Sequence, residues 1–270
     1  MVWYNTTSCL ILLVFGLEWS CLIVYTDLLF NLVRRELKLK YKGTVLGFFW
    51  SLLNPLLTLV TYGWVFGVLL KSSVPHYTMY LMASLIPWNF FSVTLTSSVR
   101  AYTDNSTLIT KARFPRVILV YSTILFNGVV FAMTLLVVMV GMYVFHIPYT
   151  LRLLMLIPAI AVQLILSIGL GGILAAMNVR FHDTGHLVDI LVMLWFWLTP
   201  VVYGWQSIPT KYVWLMSFNP FSFVVNLYQY AVLGQGLMVN TYISMGIIVI
   251  IVLIFALTYR RYASKIAEWI

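Results

Sequence analysis

Charge is scarce in this sequence. Only 9% of its 270 residues are Asp, Glu, Lys or Arg, while 62% are hydrophobic. A soluble domain carries roughly 25% charged residues, so the composition excludes an aqueous globular fold and demands a membrane. The seven acidic residues include only two, Glu18 and Asp189, that fall where membrane depth is accessible to them. Proton- or sodium-coupled transport depends on buried ionisable groups near the midplane, so their scarcity points to another source of energy. The two cysteines, Cys9 and Cys21, give neither a disulfide framework nor a metal-type spacing. Neither GxxxxGK(S/T) nor HExxH occurs, so no phosphate loop holds ATP on this chain. His182 and His186 flank Asp183 at a helical spacing, but Gly185 lies between them and no further ligands converge. No charged ring or filter-like repeat marks a pore.

What the chain has is apolar length. A span needs about 20 mainly apolar residues. Six stretches qualify: 44–70, 78–99, 117–145, 153–177, 187–203 and 242–259. Between the last two, WQSIPTKYVWLMSFNP is a loop with Pro209 and Pro220, and FSFVVNLYQYAVLGQG is interrupted by Asn226 and Gln229. That segment is too short and too polar to cross, and it reads as short re-entrant or interfacial helices. The expected fold is therefore all-α, with six transmembrane helices. Six spans put both termini on one side. If that side is the cytoplasm, all of the 16 Lys and Arg fall there except Lys71, Arg152 and Lys211, as the positive-inside rule requires. Residues 8–25 are marginal, with Glu18 near the middle. They read as a surface segment or an extra span, so residues 1–26 are set apart from an interface helix at 27–43 and a single transmembrane domain at 44–270.

The formal charge of +9 is thus a matter of topology rather than of nucleic-acid binding. Its densest part is NLVRRELKLKYKG at 31–43. At 100° per residue, Asp27, Asn31, Arg34, Arg35, Lys38 and Lys42 fall within about 100° of arc. This predicts an amphipathic helix in the membrane surface, where each basic side chain near anionic lipid is worth about 1 kcal/mol. Glu36 and Lys40 break the pattern. They sit on the apolar side, four residues apart in the favourable order, and predict that this side meets protein or a wet cavity. Aromatics concentrate in WFWLTPVVYGW. Trp195, Phe196, Trp197, Tyr203 and Trp205 form either an interfacial belt or a conduit whose ring faces hold sugars.

Several stretches together resemble one family. RRELKLKYKGTVLGFFWSLLNPLL, LITKARFPR, MNVRFHDTGHLVDI, LTPVVY and SFNPFSFVV occur in the order and spacing of the permease subunits of polysaccharide ABC exporters of the type-2 export class. The resemblance covers about residue 25 to the end, leaving residues 1–24 without a counterpart. It implies a permease that pairs with a second copy of itself and with two copies of a separate ATP-binding subunit. Lipid-linked polysaccharide, such as O-antigen or teichoic acid, is then moved across the bacterial cytoplasmic membrane, with both termini inside. No cofactor is bound by this chain; ATP and Mg belong to the partner. On this reading Arg34, Arg35, Lys38 and Lys42 receive the substrate's pyrophosphate head group, since arginine's planar fork suits phosphate oxygens. Lys111, Arg113, Pro115 and Arg116 form the ATPase coupling loop, where Pro115 breaks helical geometry and the cations meet acids on the ATPase. Residues 221–236 supply outer gate helices. Drug or lipid exporters of the same superfamily, and a membrane-embedded transferase, are the competing readings.

Overall fold

A computed structural model describes residues 19–44, 47, 49–71, 74–112 and 114–262. Its regular structure is helical among these residues. The first helix, α1 (Trp19–Tyr41), is rich in the straight-chain residues that lose little rotamer freedom in a helix. It starts eight residues before the boundary expected at Asp27, because the preceding apolar residues continue the same helix. Gly43 stops it by taking a φ of +76°, a conformation that costs glycine no Cβ clash. Leu32 and Val33 are buried, and α1 packs on α5 (Val117–Val144). The face carrying Asp27, Asn31, Arg34, Arg35, Lys38 and Lys42 is exposed, as the helix projection requires.

The next helix, α2 (Phe49–Tyr62), runs on as a π-helix over Gly63–Leu69. The others are α3 (Tyr77–Arg100), α4 (Ser106–Lys111), α5, α6 (Leu156–Arg180), α7 (Thr184–Trp197), α8 (Thr210–Met216), α9 (Pro220–Leu233) and α10 (Thr241–Tyr262). Four segments are long and apolar enough to cross a membrane: Phe49–Leu69, Val117–Val144, Leu151–Arg180 and Thr241–Tyr259. Helices occupy the other two expected places, with identifiable differences. The 24 residues of α3 reach about 36 Å, but Ser84, Asn89, Ser92, Thr94, Thr96, Ser97 and Ser98 make it polar. The 14 residues of α7 are apolar but reach only about 21 Å.

The chain alternates between two ends. At one, the basic end, lie the C-terminus of α1, Arg100, α4, the start of α5 and the α6–α7 turn. At the other, the far end, lie α8, α9 and the 3-10 turn Leu151–Met155. The centre of the bundle is α3, which packs against α2, α5, α6, α7 and α9. On its other side, α6 meets α10 through a small-residue contact: a Cβ on Gly172 would lie 2.1 Å from the Phe255 ring. Such close approach is the usual basis of helix packing within a membrane.

The amide side chains of α9 and its cap are bonded within the protein, whereas the buried Ser222 hydroxyl has no partner among the described residues. Asn219 caps the helix, accepting from the amides of Phe221 and Ser222, with Pro220 in the first turn. Gly234 ends it at φ +71°, directly against the Arg152 guanidinium. Asn226 accepts from the Met238 amide at 2.8 Å. Gln229 donates to Ser84 Oγ at 2.8 Å and accepts from the Trp205 indole at 2.7 Å.

Candidate functional site

Arg35, Glu36 and Lys40 project from α1 into a cavity of about 600 Å³ at the basic end. Across it stand Thr96, Ser97 and Arg100 of α3, Asp104 and Asn105 of the following turn, Thr123 and Phe126 of α5, and Asp189 of α7. The Arg35 guanidinium donates to Asn105 Oδ1 at 3.2 Å. The Lys40 ammonium lies 4.9 Å from the centre of the Phe126 ring, within cation–π range. Arg100 and Asp189 form an ion pair at 3.5 Å. Glu36 and Lys40 therefore line a polar cavity against protein, as their placement on the apolar side of α1 predicts.

Burial pushes the Glu36 carboxyl above its ordinary value, and the positive charges of Arg35 and Lys40 oppose the shift. Burial likewise pushes Lys40 down, and Glu36 opposes that. Desolvation favours the neutral form of each group, while their mutual attraction favours the charged pair.

A groove of about 340 Å³ leads away from this cavity. Its walls are Thr58 and Tyr62 of α2, Trp88, Asn89, Ser92 and Thr96 of α3, and Asp189, Val192, Phe196 and Trp197 of α7. Thr96 and Asp189 line both spaces and join them. The α3 residues Asn89, Ser92, Thr96 and Arg100 are spaced three, four and four apart, which places them on one helical face. That face is the partly exposed one of an otherwise buried helix. A polar track thus runs along α3 from the charged cavity to a patch of aromatic rings. Phe196 stacks on Tyr62 at 6.0 Å and lies 5.6 Å from Trp88, with Trp197 edge-on at 5.2 Å.

The predicted residues divide between these places. Of the four basic residues proposed to receive a head group, Arg35 lines the cavity; Arg34, Lys38 and Lys42 are exposed outside it. Of the five aromatics, Phe196 and Trp197 line the groove. Trp195 donates to Asn219 Oδ1 at 2.8 Å, Tyr203 donates to the Trp197 carbonyl at 3.0 Å, and Trp205 is buried on Gln229. In the loop, Lys111 ends α4 and is exposed, Pro115 is buried and Arg116 is half-buried beside Tyr259. Arg113 lies outside the described residues, as do the N-terminal 18 residues. Sequence reasoning missed Arg100 and the polar face of α3, although the 89, 92, 96, 100 spacing was visible.

The sequence matches the ABC-2 type transporter family over residues 27–233. The chain belongs to that family. The matched region contains the whole cavity and groove. Among ABC-2 relatives, an "O-antigen export system permease protein RfbA" of Klebsiella pneumoniae is 32% identical over 200 residues, covering 74% of this chain and 77% of the relative. The RfbA permease of Myxococcus xanthus is 35% identical over 208 residues, 76% of this chain and 80% of its own. The "polysialic acid transport protein KpsM" of Escherichia coli is 26% identical over 238 residues, 84% and 90% of the two chains. This ABC-2 chain is thus similar to glycan-export permeases over most of both lengths.

Proposed function

We propose that this chain is the permease subunit of an ATP-driven exporter that moves lipid-linked, O-antigen-like polysaccharide across the bacterial cytoplasmic membrane. The observation that carries the reading is the continuity of the charged cavity with a polar, aromatic-ended groove along α3. A lipid-linked glycan has a phosphate-bearing head and a hydroxyl-rich chain, and the two spaces offer cations to the first and amides, hydroxyls and ring faces to the second. The printed functions of the RfbA and KpsM relatives support the same substrate class.

In this reading α2, α3, α5, α6, α7 and α10 are the six spans, and the basic end faces the cytoplasm with both termini. The turns that follow α7 extend its short apolar length. The helices α8 and α9 are re-entrant and close the outer end. The chain pairs with a second copy, and two separate ATP-binding subunits dock at the basic end. They hold the ATP and Mg, and this chain carries no catalytic group of its own. The exposed Lys111 and its neighbours Arg113, Pro115 and Arg116 transmit the ATPase movement as a rigid-body push. Arg34, Lys38 and Lys42 gather the anionic head at the membrane surface, and Arg35 passes it inward.

Copurification with an ATP-binding subunit, followed by ATP hydrolysis with and without lipid-linked glycan, tests the reading. Stimulated hydrolysis is expected. In cells, the paired substitution Arg34→Gln and Arg35→Gln is expected to stop export while membrane insertion and complex assembly persist. Normal export by that variant removes the head-group role, and hydrolysis indifferent to glycan removes the substrate class.

A further inference from the structure

One ion pair stands at the junction of cavity and groove. Arg100 is the last residue of α3, and Asp189 is in the second turn of α7. Their closest side-chain atoms are 3.5 Å apart, and the two side chains are 54% and 47% exposed. Asp189 lines both spaces, so the bond spans the doorway between them.

A pair this exposed contributes little, because water solvates both partners nearly as well as they solvate each other. A guanidinium gripping a phosphate with two parallel hydrogen bonds is stronger. A phosphate can therefore compete with the Asp189 carboxylate for the Arg100 guanidinium. The cavity's charges lead to the same point. Arg35, Lys40 and Arg100 face Glu36, Asp104 and Asp189, so its formal charges balance. An anion entering a balanced cavity is held only when a carboxylate releases its cation. Asp189 is suited to do so, since it belongs to a different helix from Arg100 and faces open space.

We propose that Arg100 receives the substrate's phosphate at this doorway, and that Asp189 is the ligand it holds while the doorway is empty. Arrival of a phosphate ester frees Asp189 and releases the ion pair between α3 and α7, two of the three helices that wall the groove. The inference rests on the export reading above and adds the residue that recognises the head group and the bond that it breaks.

The test uses the full chain copurified with its ATP-binding subunit in nanodiscs, with a short polyprenyl pyrophosphate as the probe. Arg100→Gln is expected to bind it about tenfold more weakly, the loss typical of one charge-assisted contact. Asp189→Asn is expected to bind it roughly threefold to fivefold more tightly, because the competitor is gone. Arg100→Lys, which keeps the charge without the fork, falls between wild type and Gln. A merely structural pair predicts weaker binding in both Arg100→Gln and Asp189→Asn, so no gain for Asp189→Asn overturns the proposal. Wild-type affinity in Arg100→Gln does the same. Displacement of the probe by phosphatidylglycerol at equal concentration assigns the site to bulk lipid and also overturns it. If wild type and every variant fail to bind the probe, the export reading falls and this inference falls with it. Melting temperatures of each variant separate lost binding from lost folding.

Discussion

The two ends of the bundle handle buried polarity in opposite ways. At the far end, Tyr77 donates to the Val202 carbonyl at 2.7 Å and Tyr80 to the Pro200 carbonyl at 2.9 Å. Tyr228 donates to Gln163 at 2.6 Å, and Gln163 donates to the Pro87 carbonyl at 2.8 Å. Gln229 joins Trp205, Ser84 and the Pro200 carbonyl. At the basic end, Thr94 Oγ1, Ser98 Oγ, Tyr102 OH, Asn127 Nδ2 and Asn178 Oδ1 are buried with no hydrogen-bond partner among the described residues. Ser222 at the far end and Ser167, mid-way along α6, are likewise unpaired among the described residues. A satisfied network fixes one arrangement, whereas unpaired groups leave a second arrangement within reach. The bonding thus predicts a more rigid far end and a basic end where movement costs less.

The largest expected effect comes from breaking the far-end network. Gln229→Leu removes an acceptor from the buried Trp205 indole and a donor from Ser84 and the Pro200 carbonyl. Each orphaned group costs about 1–3 kcal/mol in a soluble protein, and membrane contacts average less. A net loss of about 2–3 kcal/mol is expected, read as an earlier thermal transition in detergent. An unchanged transition would mean that the two ends do not differ in rigidity as their bonding implies.

A smaller effect is expected at Glu36. Its carboxyl is raised above the ordinary value of 4.5 chiefly by burial, so the folded state holds this proton more tightly than the unfolded state does. Stability is then fully present below 4.5 and declines as pH rises from there toward the folded value. Glu36→Gln removes this decline. Melting scanned from pH 4 upward should show the variant flat where wild type falls, with a difference of about 2 °C. Parallel curves would show that Arg35 and Lys40 fully offset the burial.

Much of the fold was legible in the sequence because apolar length and turn chemistry are local properties. Asn219, Pro220 and Gly234 bound α9 by capping rules that need no tertiary knowledge. Glu36 and Lys40 announced a cavity because charge on an apolar face requires one. The groove was less legible. Hydropathy averages around a helix, so the polar face of α3 only lowered the mean and hid its direction. The aromatic crowding from Trp195 to Trp205 looked like one surface, yet adjacent helical residues point about 100° apart. The three consecutive rings therefore do not all face one way: the structure sends Trp195 to Asn219 and Phe196 and Trp197 to the groove. Arg100 and Asp189 are 89 residues apart, and no local pattern links them.

The smallest expected effect is the sharpest test of the comparison. Ser98 is fully buried, and its hydroxyl has no partner among the described residues. It lies against α6, where a Cβ on Gly171 would come within 3.0 Å of its oxygen. Removing a polar group that already lacks a partner sacrifices no bond and relieves a desolvation cost, while the lost volume is one oxygen atom. Ser98→Ala should therefore leave stability within about 0.5 kcal/mol of wild type or raise it slightly. A comparable change at Ser84, whose hydroxyl accepts from Gln229, is expected to cost more. If Ser98→Ala proves as damaging as Ser84→Ala, then Ser98 has a partner in the membrane, most simply a water reaching it from the charged cavity. The basic end would then be wet to that depth, and its polar groups would be satisfied by solvent rather than left open for a second arrangement of the helices.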